Sequence, residues 1–128
     1  MRKILVAVVA ISALTLSSCS KDTRINNKLD GSWNVTKFEG STIGSGQSVT
    51  ITFSKDKKGK GTGTQTISGT GVFDGTSSFS YEVADEKLIQ TTVISGFTSV
   101  DISTIKEYSK DKVVLVNVDN EESILEAK

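Results

Sequence analysis

The sequence predicts an all-β fold, a small antiparallel up-and-down barrel of about eight strands. Three observations predict it. Beyond Leu29 the apolar residues recur with period two almost throughout. Clusters of Gly, Asp, Asn, Ser and Lys divide these runs at short, regular intervals. No segment past the N-terminal apolar run carries a clear helical period. Many short, evenly spaced strands make a sandwich or a closed barrel. Closure removes exposed edges, which matters in a chain without proline to guard them.

The elements follow in order. Strands are predicted near Trp33–Phe38, Val49–Ser54, Gly61–Ser68, Gly71–Phe73, Ser78–Val83, Leu88–Val93, Val100–Tyr108, Val113–Val118 and Ser123–Ala127. In "SVTITFS", Val49, Ile51 and Phe53 share one face and the hydroxyl residues the other. "SFSYEVA" alternates likewise through Phe79, Tyr81 and Val83. "VDISTI" sets Val100 and Ile102 against Asp101 and Ser103. "KVVLVNV" is nearly all apolar, the pattern of a strand covered on both faces. "KDKKGK", Lys55 to Lys60, reads as a solvated hairpin turn, and Asp74-Gly75 as a hairpin dipeptide. The final "EESILEAK" suits either a closing strand or a short helix.

The N-terminus has a different character. Arg2 and Lys3 precede "ILVAVVAISALTL", an apolar run short of the about 20 residues that span a bilayer. A basic start, a short apolar stretch and small residues after it describe a secretory signal peptide over residues 1–18. Cys19, the one cysteine of the chain, follows at once. It has no partner within the chain for a disulfide and no histidine to activate a thiolate, which leaves an attachment point, an idle thiol in an ordinary cleavable leader, or part of an uncleaved anchor. The polar "SKDTRINNK" behind it reads as a flexible tether, residues 19–28, leading into a single β-barrel domain over residues 29–128.

Composition narrows the function classes. The formal charge is balanced, and removing Arg2 and Lys3 leaves the remainder slightly acidic, without the basic face of a nucleic-acid binder. A chain with no histidine, and with a single cysteine beside its leader, lacks the usual acid–base and nucleophile sets. The expectation is therefore a non-enzyme with no catalytic residues, no metal site and no cofactor. The carboxylate pairs Asp85-Glu86 and Glu121-Glu122 fall in predicted turns, where solvation explains them.

Two stretches carry a family resemblance. "Leu16-Ser17-Ser18-Cys19" resembles the lipobox of bacterial lipoproteins. That resemblance implies diacylglycerol on the Cys19 thiol, cleavage after Ser18 and acylation of the new amino terminus with palmitate-type chains. Several chains at about 0.8 kcal/mol per buried methylene anchor a protein firmly. Lys21-Asp22 resembles, in short form, the signals that send some lipoproteins to the cell surface. "LDGSWNVTKFEG", Leu29 to Gly40, resembles the start of the lipocalin-like domains of such lipoproteins, as do "FSKDKKGKGTGT", "FSYEVADEKLIQTT" and "EYSKDKVVLVN" in later hairpins. The resemblance implies a lipocalin-like barrel with Trp33 plugging one end and a lysine, Lys112 or Lys128, packed across the indole.

The interior is the open question. In "GKGTGTQTISGTG", Gly61, Gly63, Gln65 and Ile67 share one face. Inward glycines leave room for a small ligand unless Phe53, Phe73 and Phe79 fill it. The candidate ligand-binding residues are Trp33, Val35, Phe53, Phe79 and Tyr81. Two functions compete. One is a monomeric, membrane-anchored binding module for a small apolar or amphipathic ligand at the cell envelope, in the outer membrane, on its periplasmic or outer face. The other is a structural or interaction lipoprotein with a filled barrel that contacts another envelope protein or polysaccharide.

Overall fold

The computed structural model describes residues 21–128. The lipobox, the leader and Cys19 lie outside the described residues. The strands are β1 (Gly31–Phe38), β2 (Ser41–Thr42), β3 (Ser48–Lys55), β4 (Lys60–Ser68), β5 (Gly75–Ala84), β6 (Lys87–Ile94), β7 (Phe97–Tyr108), β8 (Lys112–Asn117) and β9 (Glu122–Ala127). From β3 to β9 each strand pairs antiparallel with the next, β1 pairs with β3, and β1 also pairs with β9. That last pairing closes an up-and-down barrel of eight strands, with the two-residue β2 appended to β1.

Register sets which side chains enter the barrel. Phe53 pairs with Gly63 and Gly63 with Phe79; Lys55 pairs with Gly61 and Gly61 with Tyr81. The glycine face therefore looks inward. A Cβ on Gly61 would lie 2.7 Å from the Tyr81 hydroxyl, and one on Gly63 would lie 2.7 Å from Phe79 Cε2. The two glycines make room for aromatic rings, not for a ligand. Phe53, Phe79 and Tyr81 form an edge-to-face cluster, with Phe53 centroids 5.7 Å from Phe79 and 5.2 Å from Tyr81. Phe73 takes no part in it and is 76% exposed.

One end of the barrel is shut by a helix. Residues 21–29, expected within or beside a flexible tether over 19–28, are helical. Ile25 and Leu29, four residues apart and so on one helical face, are fully buried in the core. Asn26 lies between them and is also buried. Its amide donates to the Lys57 and Lys60 carbonyls at 3.3 and 3.1 Å, and its Oδ1 accepts from the Tyr81 hydroxyl at 2.5 Å. Burial of that phenol, with the nearby Asp30 charge, pushes its pKa up to about 12. Outside, Lys55 donates to Asn27, Asp30 accepts from the Lys55 backbone, and Lys21 pairs with Glu86. The basic "KDKKGK" segment is thus a turn, as expected, and doubles as the seat of the helix.

Trp33 lies beneath this cap. It is 2% exposed, and its Nε1 donates to the Leu29 carbonyl at 2.7 Å. The indole plugs the end as expected, but the helix covers it. Lys112 pairs in register with Glu126 on the outward side, next to inward Val113, and Lys128 follows the end of β9. β8 is buried on both faces from Val113 to Val116.

Two local expectations change. The C-terminal segment is strand β9, not a helix. Gly71–Phe73 is not a strand but part of the β4–β5 loop. The Asp74 carboxylate accepts from the backbone N–H of Gly69, Thr70 and Gly71 and from the Thr70 hydroxyl. Gly69 and Gly71 take φ of 84° and 80°, which glycine adopts without steric cost. These hydrogen bonds, first from the Thr70 side chain and then from its backbone, hold the Asp74 pKa below its ordinary 3.8. Because the folded value is lowered, the stabilisation is complete above the ordinary value and disappears as pH falls through the lowered one. Amide exchange at Gly69, Thr70 and Gly71, corrected for intrinsic rates, should therefore accelerate on acidification. In Asp74→Asn that pH response should vanish.

Candidate functional site

The half of the barrel away from the helix is not filled. Phe79 and Leu115 lie where the packed half ends, and beyond them a cavity of about 420 Å³ opens at the other end. An eight-stranded barrel is about wide enough for one small ligand, and small-molecule pockets begin at about 300 Å³. The floor is apolar: Val35, Ile51, Phe79, Leu115 and Leu125. All five are at most 7% exposed.

The wall above this floor is polar. Gln65 pairs with Ser77, Gln90 with Asp101, and Ser103 with Asn117, and all six line the cavity. The orientation of β7 follows from its neighbour. Leu88 is fully buried and stands opposite Ser103, so Ser103 and Asp101 face inward, while Val100 and Ile102 on the alternate face are 54% and 43% exposed and border the cavity at its rim. The alternation seen in the sequence is real, but its polar side is the inner one.

The mouth is held by a compact hydrogen-bond network. Asn117 Oδ1 accepts from the backbone N–H of Asp119 and Glu121 at 3.1 and 2.9 Å. Its Nδ2 donates to Glu121 Oε1 at 2.9 Å. Asn120 takes φ of 65° in this turn, a conformation asparagine tolerates better than most residues. Along the adjoining rim, where β1 meets β9, the Glu39 N–H donates to Ser123 Oγ at 3.0 Å, and the Gly40 N–H donates to the Glu122 carbonyl at 2.9 Å. Glu39, Asp119 and Glu121 therefore sit on anchored backbone around the opening.

The sequence-derived candidates divide between the two halves. Val35 and Phe79 line the cavity floor. Trp33, Phe53 and Tyr81 do not line it and belong to the packed half. Sequence reasoning missed Gln65, Ser77, Gln90, Asp101 and Asn117 as site residues. The available signal was Gln65, an amide on the same face as two glycines and Ile67. Among the described residues, no group of three or more Cys, Asp or Glu is placed to hold a metal ion. No helix there is long and apolar enough to cross a membrane.

Fold and site together define a closed antiparallel barrel, solid at one end and cupped at the other. No family model, no curated protein and no solved structure matches the chain.

Proposed function

We propose that the protein is a bacterial lipoprotein whose lipocalin-like barrel binds a small amphipathic ligand at the cell envelope. The observation that carries this reading is the cavity of about 420 Å³, with an apolar floor and a polar wall. A molecule with a short apolar part and a polar head fits both surfaces. The lipid on Cys19 holds the protein to the outer membrane. Lys21, two residues on, belongs to the helix over the shut end. On this reading the barrel stands with its packed end toward the bilayer and its cup away from it. The binding role needs no catalytic group.

Native mass spectrometry of protein purified from its own cells tests the ligand. A discrete, removable adduct is expected, and a bare polypeptide at every preparation would argue against a resident ligand. Cys19→Ser tests the anchor: the protein should retain its leader and no longer incorporate labelled palmitate. Continued membrane association with normal cleavage would overturn lipidation.

A second reading, contact with another envelope protein or polysaccharide, draws on a different observation. Val72, Phe73, Ile94, Phe97 and Val118 are all at least 60% exposed, and all lie in or beside the loops at the cavity end. Crosslinking in cells from this end distinguishes partner contact from free exposure.

A further inference from the structure

We propose that the cavity selects a cationic amphiphile, an organic amine with a short apolar tail, over neutral and anionic ones. The proposal rests on the ligand-binding reading of the same cavity. The cavity is lined by four carboxylates, Glu39, Asp101, Asp119 and Glu121, and by no lysine or arginine. Asp101 is the decisive one. It stands on the inward face of β7 opposite Gln90, solvent-exposed at the mouth, and among the described residues its carboxylate makes no hydrogen bond or ion pair. An inward position in a small barrel ordinarily takes an apolar side chain that adds to the core. Here it carries an unneutralised charge above an apolar floor.

The other groups leave that charge uncompensated. Glu121 is held by Asn117 through hydrogen bonds rather than by a cation. The nearby Lys37 points its ammonium at Glu122, 3.6 Å away. The field at the opening is therefore negative, and low-dielectric barrel walls strengthen it relative to bulk water. An ammonium head entering the cup meets carboxylates, while Gln65, Gln90 and Ser77 offer carbonyl and hydroxyl acceptors. An anionic head meets like charge from Asp101 and the rim carboxylates. Selectivity arises as much from that repulsion as from the attraction. The tail rests on Val35, Ile51, Phe79, Leu115 and Leu125.

The polypeptide from residue 20 onward contains all nine strands, the helical residues 21–29 and every residue of the core. It can therefore be titrated calorimetrically with three probes of equal tail: octylammonium, octanol and octanoate. Octylammonium should bind best, by about tenfold or more over octanol, equivalent to about 1.4 kcal/mol. Added salt should weaken octylammonium and leave octanol unchanged. Asp101→Asn, which keeps the side-chain shape, should erase most of the advantage of octylammonium without altering octanol. If octanol or octanoate matches octylammonium, or Asp101→Asn changes nothing, charge selection is overturned while the cavity reading stands. If none of the three binds, the cavity reading itself falls, and this inference with it.

Discussion

Trp33→Ala should destabilise the barrel by about 3–5 kcal/mol, the range for removing a buried large aromatic. Three features put Trp33 at that end of the scale. The side chain is 2% exposed, it lies between the strand ring and the helix, and its Nε1 satisfies the Leu29 carbonyl. Alanine leaves both a void and an unpaired carbonyl at the last turn of the helix, and each adds to the cost. The void also removes the surface on which the helix rests. The helical segment should therefore lose amide protection before the strands do. Urea unfolding followed by circular dichroism measures the first effect, and hydrogen exchange at Ile25 and Asn26 the second. A loss below about 1 kcal/mol, outside the range for such truncations, would show that the indole is not structural.

Gly63→Val should strongly disrupt the packed half of the barrel. The new Cβ falls on the Phe79 ring and against the Thr52 backbone carbonyl, and only the ring can move. Overpacking of this kind costs about 1–3 kcal/mol, and more where backbone must shift. Thr64→Val is the matched control. It sits on the next residue of the same strand, faces outward and is exposed, so it should change stability by no more than about 0.5 kcal/mol. Combining Gly63→Ala with Phe79→Leu should recover part of the loss that Gly63→Ala alone causes, because the smaller side chain vacates the space. Equal stabilities for the Gly63 and Thr64 variants would mean that β4 does not turn its glycine face inward.

The strands were legible from the chain because period two is a direct record of a pleated surface with one face inward. Eight of the nine predicted segments are strands, with ends that move by a few residues. Gly71–Phe73 misled because Val72 and Phe73 look like a strand, whereas Asp74 gathers the preceding N–H groups into a loop. The helix over residues 21–29 was hidden by its own polarity. Only Ile25 and Leu29 record its buried face, and the polar residue beside them, Asn26, is buried by virtue of partners far along the chain, Lys57, Lys60 and Tyr81. Those partners are a property of the assembled barrel.

The site was half legible for a related reason. Val35 and Phe79 are apolar and inward, and alternation alone finds them. Asp101 and Ser103 are inward too, yet "VDISTI" gives no sign of which side is in. The answer comes from pairing: Leu88 opposite Ser103 fixes the parity of β7, and Gln90 opposite Asp101 follows from it. Trp33, Phe53 and Tyr81 were plausible as ligand contacts because large aromatics line cups as well as cores. Gly61 and Gly63 decide between the two, since their missing side chains are occupied by the Tyr81 and Phe79 rings. The same glycines that suggest empty volume in the sequence are therefore what lets the lower half pack solid.

The most direct test of a barrel solid at one end and ligand-holding at the other is amide chemical-shift mapping. The polypeptide from residue 20 would be titrated separately with octylammonium and with octanol. The account predicts shifts concentrated at Gln65, Ser77, Gln90, Ser103 and Asn117, with the Trp33 indole N–H unmoved. Shifts centred on Trp33 and the helix, or spread over the outward hydroxyls Thr52, Thr62 and Thr64, would contradict it.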